Sequence, residues 1–96
     1  ARNIGTIIEQ DQVVEHVEAV ENQPRMIKQA VTWIGKQKPD QPFFLYFPMC
    51  PPHTPVVPAA EYVGKSGAQD LVKKDPKYGD WLYQGDAMLG QLVAAL

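Results

Sequence analysis

Pro42-Phe43-Phe44-Leu45-Tyr46-Phe47 is an unbroken apolar run that passes straight into Pro48-Met49-Cys50-Pro51-Pro52-His53-Thr54-Pro55. A segment that is apolar at every position and bounded by proline has the pattern of a strand buried on both faces, as in the middle of a parallel sheet. Its C-terminal end delivers a lone histidine on a proline-stiffened loop. In open α/β sheets that edge is where ligands bind.

Upstream, Met26, Ile27, Ala30, Val31 and Ile34 recur at helical spacing and predict a helix over 24–37. Pro24 suits its first position, with Asn22 or Gln23 at or near the cap. Gly35 and the Lys38-Pro39-Asp40 turn end it. Further back, Val13, Val14, Val17 and Val20 fit a helical face but also alternate in part with Glu15, Glu18 and Glu21, so that segment stays open between helix and strand. Gly5-Thr6-Ile7-Ile8-Glu9-Gln10 is short and β-branched, as an edge strand or extended lead-in is.

Downstream, Pro48, Pro51, Pro52, Pro55 and Pro58 exclude regular helix or a paired sheet interior. Pro58-Ala59-Ala60-Glu61-Tyr62-Val63 has room for one helical turn, and Gly64-Lys65-Ser66-Gly67 breaks it. Gln69 to Lys77 reads as a solvated excursion. A last helix is predicted over 80–96, with Asp80 as its N-cap and Leu82, Gly85, Asp86, Leu89, Leu92, Val93 and Leu96 on one face. Asp86 on that stripe would need partners. The expected fold is therefore α/β, with helices 24–37 and 80–96 packed against a central strand.

With 96 residues, 45% hydrophobic and 21% charged, the chain is at most one small domain. It can bury roughly 60–65% of its unfolded surface. A net charge of −2 with interspersed signs gives no electrostatic support to a nucleic acid or anionic membrane partner. Cys50 is the only cysteine, so no internal disulfide is possible. No apolar run approaches the roughly 20 residues of a membrane helix. A start at Ala1-Arg2-Asn3 and an end inside the helical pattern Val93-Ala94-Ala95-Leu96 point to an internal segment, 1–96, of a larger domain.

Cys50 as a nucleophile would need His53 in reach and a third group to orient the base, and none is indicated. Cys50 and His53 as metal ligands would need one or two more, and the other histidine, His16, lies in the valine and glutamate segment. Asp80 and Asp86 stand roughly 240° apart on a helix and do not form a carboxylate pair. Gly64-Lys65-Ser66-Gly67 lacks phosphate-loop spacing. His53 is different, because Pro52 and Pro55 lower the entropy of fixing its imidazole at the sheet edge. There it can donate a hydrogen bond to an anion or protonate a leaving oxygen.

Taken in order, Pro42 to Phe47, Pro52-His53-Thr54-Pro55, Glu61-Tyr62-Val63-Gly64-Lys65-Ser66-Gly67, Tyr78-Gly79-Asp80, and Asp86 with Gly90 resemble the middle of the sulfatase family of alkaline-phosphatase-like enzymes. The likeness runs over about residues 4–96 and is strongest from Pro42 onward. It implies a fragment of an alkaline-phosphatase-like parallel-sheet domain (helix, central strand, Pro-rich loop, helix). It also implies a parent that hydrolyses sulfate esters with a formylglycine, made within a C/S-x-P-x-R motif, beside a calcium ion.

In that scheme His53 is the catalytic and substrate-binding residue, contacting the sulfate or assisting the leaving oxygen. Family members are commonly exported, periplasmic or lysosomal. The departures are equally specific. Cys50-Pro51-Pro52-His53-Thr54 lacks the arginine of the formylglycine motif, and no calcium ligand is assigned in this segment. The segment alone is expected to be inactive, to associate with itself through exposed sheet edges, or to serve as a non-catalytic anion-binding or purely structural α/β module.

Overall fold

The computed structural model describes residues 4–68 and 77–96. The chain opens with an antiparallel hairpin of β1 (Ile4–Glu9) and β2 (Gln12–Glu18). Gln10 and Asp11 form its two-residue turn, both in the left-handed region at φ 49° and 63°. That is the twist a two-residue hairpin requires, here made without glycine. Ile7 pairs with Glu15 and Ile8 with Val13, so Val14 is bulged out. Strand therefore wins over helix for residues 12–18, and Ile7 and Val17 turn inward while Ile4, Ile8 and Val13 stay exposed.

β2 runs directly into α1 (Ala19–Gly35). The helix thus begins earlier than the expected 24–37, and Pro24 lies inside it instead of at its first position. Without an N–H, Pro24 cannot close a bond to the Val20 carbonyl. Tertiary burial outweighs that loss: Gln23, Ile27, Ala30 and Ile34 form one buried stripe. Asn22 and Gln23 are consequently helix residues and not caps. Gly35 ends the helix as the sequence predicts.

The central strand is the main correction. Residues 43–47 are extended but join no ladder, and the sheet among the described residues is the hairpin alone, not a parallel sheet. A strand exists only with a partner to take its N–H and C=O groups, and none of the described segments is placed to do so. The alternation of a strand persists all the same. Phe44 and Tyr46 are 86% and 78% exposed, whereas Phe43 and Leu45 are 40% and 36% exposed. Phe43 stacks edge-on against Trp33, at 5.2 Å and 87°, and Phe47 packs on the core.

After the proline loop come a 3-10 turn, Ala60–Tyr62, and the glycine turn, with Gly64 and Gly67 at φ 84° and 67°. The expected excursion from Gln69 lies, up to residue 76, outside the described residues. The final helix α2 spans Tyr78–Ala95. Asp80 is its third residue and not its N-cap, because Lys77 holds that position. The buried face is Asp80, Trp81, Gln84, Gly85, Met88 and Leu92, while Leu82, Asp86, Leu89, Val93 and Leu96 are exposed. Asp86 thus needs no buried partner. Helix α2 carries apolar residues on two stripes, and the one with Trp81, Met88 and Leu92 faces inward. Ile27, Ala30 and Ile34 of α1 meet Met88 and Leu92 of α2 to make the core.

Candidate functional site

The loop from Pro48 to Pro58 has no regular structure of its own, so its shape comes from what holds it. Both helices do. From α1, Gln23 Oε1 accepts the Cys50 N–H at 3.2 Å. From α2, Trp81 Nε1–H donates to the His53 carbonyl at 3.0 Å, and Gln84 Oε1 accepts the Ala59 N–H at 2.7 Å. Gln23, Trp81 and Gln84 are all 2% exposed or less. Buried bonds of this kind are costly to break, since the abandoned group keeps its desolvation penalty of about 1–3 kcal/mol.

Gly85 lets α2 approach the loop closely. A Cβ there would stand 3.2 Å from Pro51 Cβ. Within the loop the His53 N–H donates to the Cys50 carbonyl at 2.9 Å, closing a turn over Pro51 and Pro52. The peptide bonds preceding Pro52 and Pro55 are cis.

His53 therefore has a fixed backbone and an exposed ring. Its Nδ1–H donates to the Thr54 carbonyl at 2.6 Å, which leaves Nε2 pointing away from that bond. With Nδ1 carrying the proton, neutral His53 offers Nε2 only as an acceptor, and the imidazolium offers Nε2–H as a donor. His53 lines a cavity of about 770 Å³ together with residues of β1, the start of α1, the loop and Trp81. Its walls are mainly apolar, with Ile4, Met49, Val57 and Trp81, and its polar groups come from Asn22, Gln23, Cys50, His53 and Thr54. Apolar cavities with a few convergent polar groups are the usual form of a small-molecule site.

Asp80 holds the glycine turn that follows the loop. Its carboxylate accepts the Gly64 N–H at 2.8 Å, the Ser66 N–H at 3.1 Å and the Ser66 hydroxyl at 2.6 Å. Gly79 beside it has no room for a side chain, as a Cβ would come within 2.6 Å of Ala68 Cβ and 2.9 Å of Ser66 Oγ. The Tyr78-Gly79-Asp80 sequence is thus a clasp on the glycine turn.

His53 stands where the sequence places it, at the end of the apolar run. Cys50 is exposed and its Sγ faces the Asn22 amide at 3.8 Å, so no base stands beside it in the described contacts. His16 lies in the hairpin, facing Thr6 Oγ1 at 3.3 Å. Among the described residues no three His, Cys, Asp or Glu side chains stand together as a metal site requires, so these donors do not fit a calcium site. Around Cys50 the sequence has Thr54 where a C/S-x-P-x-R motif has arginine. Gln23, Trp81 and Gln84 are the functional side chains that motif reading misses. Their only signal is polar and indole groups at helical spacing beside an apolar stripe.

The chain has a sulfatase-like relationship in sequence. Over 71 residues the chain is 34% identical to Arylsulfatase H of Homo sapiens, covering 74% of this chain and 11% of that protein. No protein-family model matches the chain, and no solved structure matches it.

Proposed function

We propose that this chain is a segment of a sulfatase-like enzyme and that it contributes His53 as the group contacting the sulfate of an ester substrate. The observation that carries the proposal is the trio of buried bonds from Gln23, Trp81 and Gln84. Together they fix the backbone around a histidine whose ring is left exposed at a cavity. A packing histidine would have its ring buried and satisfied. Here the two helices hold the main chain and leave Nε2 outward.

The chemistry this segment supplies is binding and proton placement. As an imidazolium, His53 donates Nε2–H to a sulfate oxygen or to the departing oxygen of the ester. The nucleophile and the metal of such an enzyme would come from other parts of a longer protein, and calcium and formylglycine are implied for that parent only. Loss of even one preorganised donor costs about 10²–10³ in rate. The chain alone accordingly binds and does not turn over. The test is phenyl sulfate offered to the purified chain: saturable binding that His53→Ala abolishes, without release of phenol, supports the proposal. Binding unchanged in His53→Ala would contradict it.

A further inference from the structure

Two cavities adjoin along β1. The larger, of about 770 Å³, is lined by Ile4 and Gly5, and the smaller, of about 270 Å³, by Thr6, Ile7 and Ile8. Both are bordered as well by Asn22 and Gln23 of α1 and by Cys50 of the proline loop. Successive side chains of a strand point to opposite faces, so consecutive residues line one groove only along the strand's edge. That edge is the unpaired one. Among the described residues β1 pairs with β2 alone, and no main-chain bond joins it to α1 or to the loop. The groove thus follows Ile4 to Ile8, roughly 17 Å of strand, beside open backbone N–H and C=O groups.

An extended chain that adds to such an edge satisfies those groups, and the flanking cavities take its side chains. The lining sets the chemistry. No Lys, Arg, Asp or Glu borders either cavity, whereas Glu9 and Asp11 stand exposed just past the groove at the hairpin turn. The complementary segment is uncharged along Ile4 to Ile8 and basic at the end that meets the turn. A second copy of this chain does not fit. Its own β1 edge lies between its own α1 and loop, so edge-to-edge pairing would drive the walls of the two grooves into each other.

We propose that the free edge of β1 is a strand-addition site for an extended peptide segment of another protein, uncharged within the groove and carrying lysine or arginine beside Glu9 and Asp11. The site stands whether or not His53 contacts sulfate.

The probe is acetyl-KKVTVTV-amide, which meets the turn with its lysines when it runs antiparallel to β1. Titrated into the ¹⁵N-labelled chain, it is expected to shift the backbone amides of Gly5 to Ile8 saturably and to slow the solvent exchange of those that face the groove. Acetyl-EEVTVTV-amide should bind about tenfold more weakly, by a margin that shrinks as salt is raised. Acetyl-KKVPPTV-amide should not bind, because its adjacent prolines remove an N–H that faces β1 in either register. Equal binding of the proline peptide, or no saturable binding of the first one at millimolar concentration, would overturn the proposal. So would shifts centred on residues 43–47 in place of β1. Shifts at Gly5 to Ile8 that grow with chain concentration in the absence of peptide would make a second copy the occupant and refute the assignment.

Discussion

The indole N–H of Trp81 donates to the carbonyl of His53 at 3.0 Å, so the candidate catalytic histidine is positioned through its main chain by a buried tryptophan of the last helix. Trp81→Phe keeps the aromatic body and removes that donor. It should destabilise the chain by about 1–2 kcal/mol in urea unfolding and weaken phenyl sulfate binding, because the loop loses its tie to α2. Unchanged binding would show that the loop holds His53 without α2.

Gln84 performs the parallel task at Ala59, fully buried and with its carbonyl 2.7 Å from the backbone N–H. Gln84→Leu leaves that N–H stranded and should cost about 1–3 kcal/mol, whereas Gln91→Leu on the exposed face should stay within about 0.5 kcal/mol. Thermal unfolding of the two variants side by side checks the contrast.

Gly79→Ala places a methyl group 2.6 Å from Ala68 Cβ and must push the glycine turn away from Asp80. Overpacking of that order costs about 1–3 kcal/mol. The Gly64 and Ser66 amides should then exchange with solvent faster than in the unsubstituted chain, which hydrogen exchange reads directly.

Asp11 holds a left-handed backbone at φ 63° in the hairpin turn. Asp11→Gly relieves a strain of about 1 kcal/mol, and should raise stability by somewhat less because glycine also loosens the unfolded chain. A fall in melting temperature would show that the Asp11 side chain contributes more than its backbone costs.

The run 43–47 carries an unpaired edge with Phe44 and Tyr46 exposed. At raised concentration the chain should self-associate through that edge, and Tyr46→Lys should oppose it by placing a charge there. Sedimentation of both forms gives the answer.

What the sequence made legible was local. The stripe Ile27, Ala30 and Ile34, the glycine stop at Gly35, the single turn near Ala60 and the break at Gly64 to Gly67 all follow from spacing and turn chemistry. The apolar run ends in the proline loop that carries His53. What sequence could not supply were relations between elements. Phe43 to Phe47 has the composition of a central strand, but a strand needs neighbours, and no described segment of this chain provides them. Asp80 has the composition of a helix cap, yet a more distant turn claims its carboxylate. On α2, two apolar stripes compete, and only packing against Pro51 and against Ile27, Ala30 and Ile34 of α1 shows that the stripe of Trp81 faces inward. Gln23 and Gln84 look like surface residues until the loop they hold is in view.

The most direct test is the His53 ring itself. Phenyl sulfate titrated into the chain while the ¹⁵N and Cε1–H resonances of both histidines are followed should shift His53 saturably and leave His16 unmoved. Equal shifts at His16 and His53, or a His53 ring left unmoved, would contradict a sulfate-contacting role for His53.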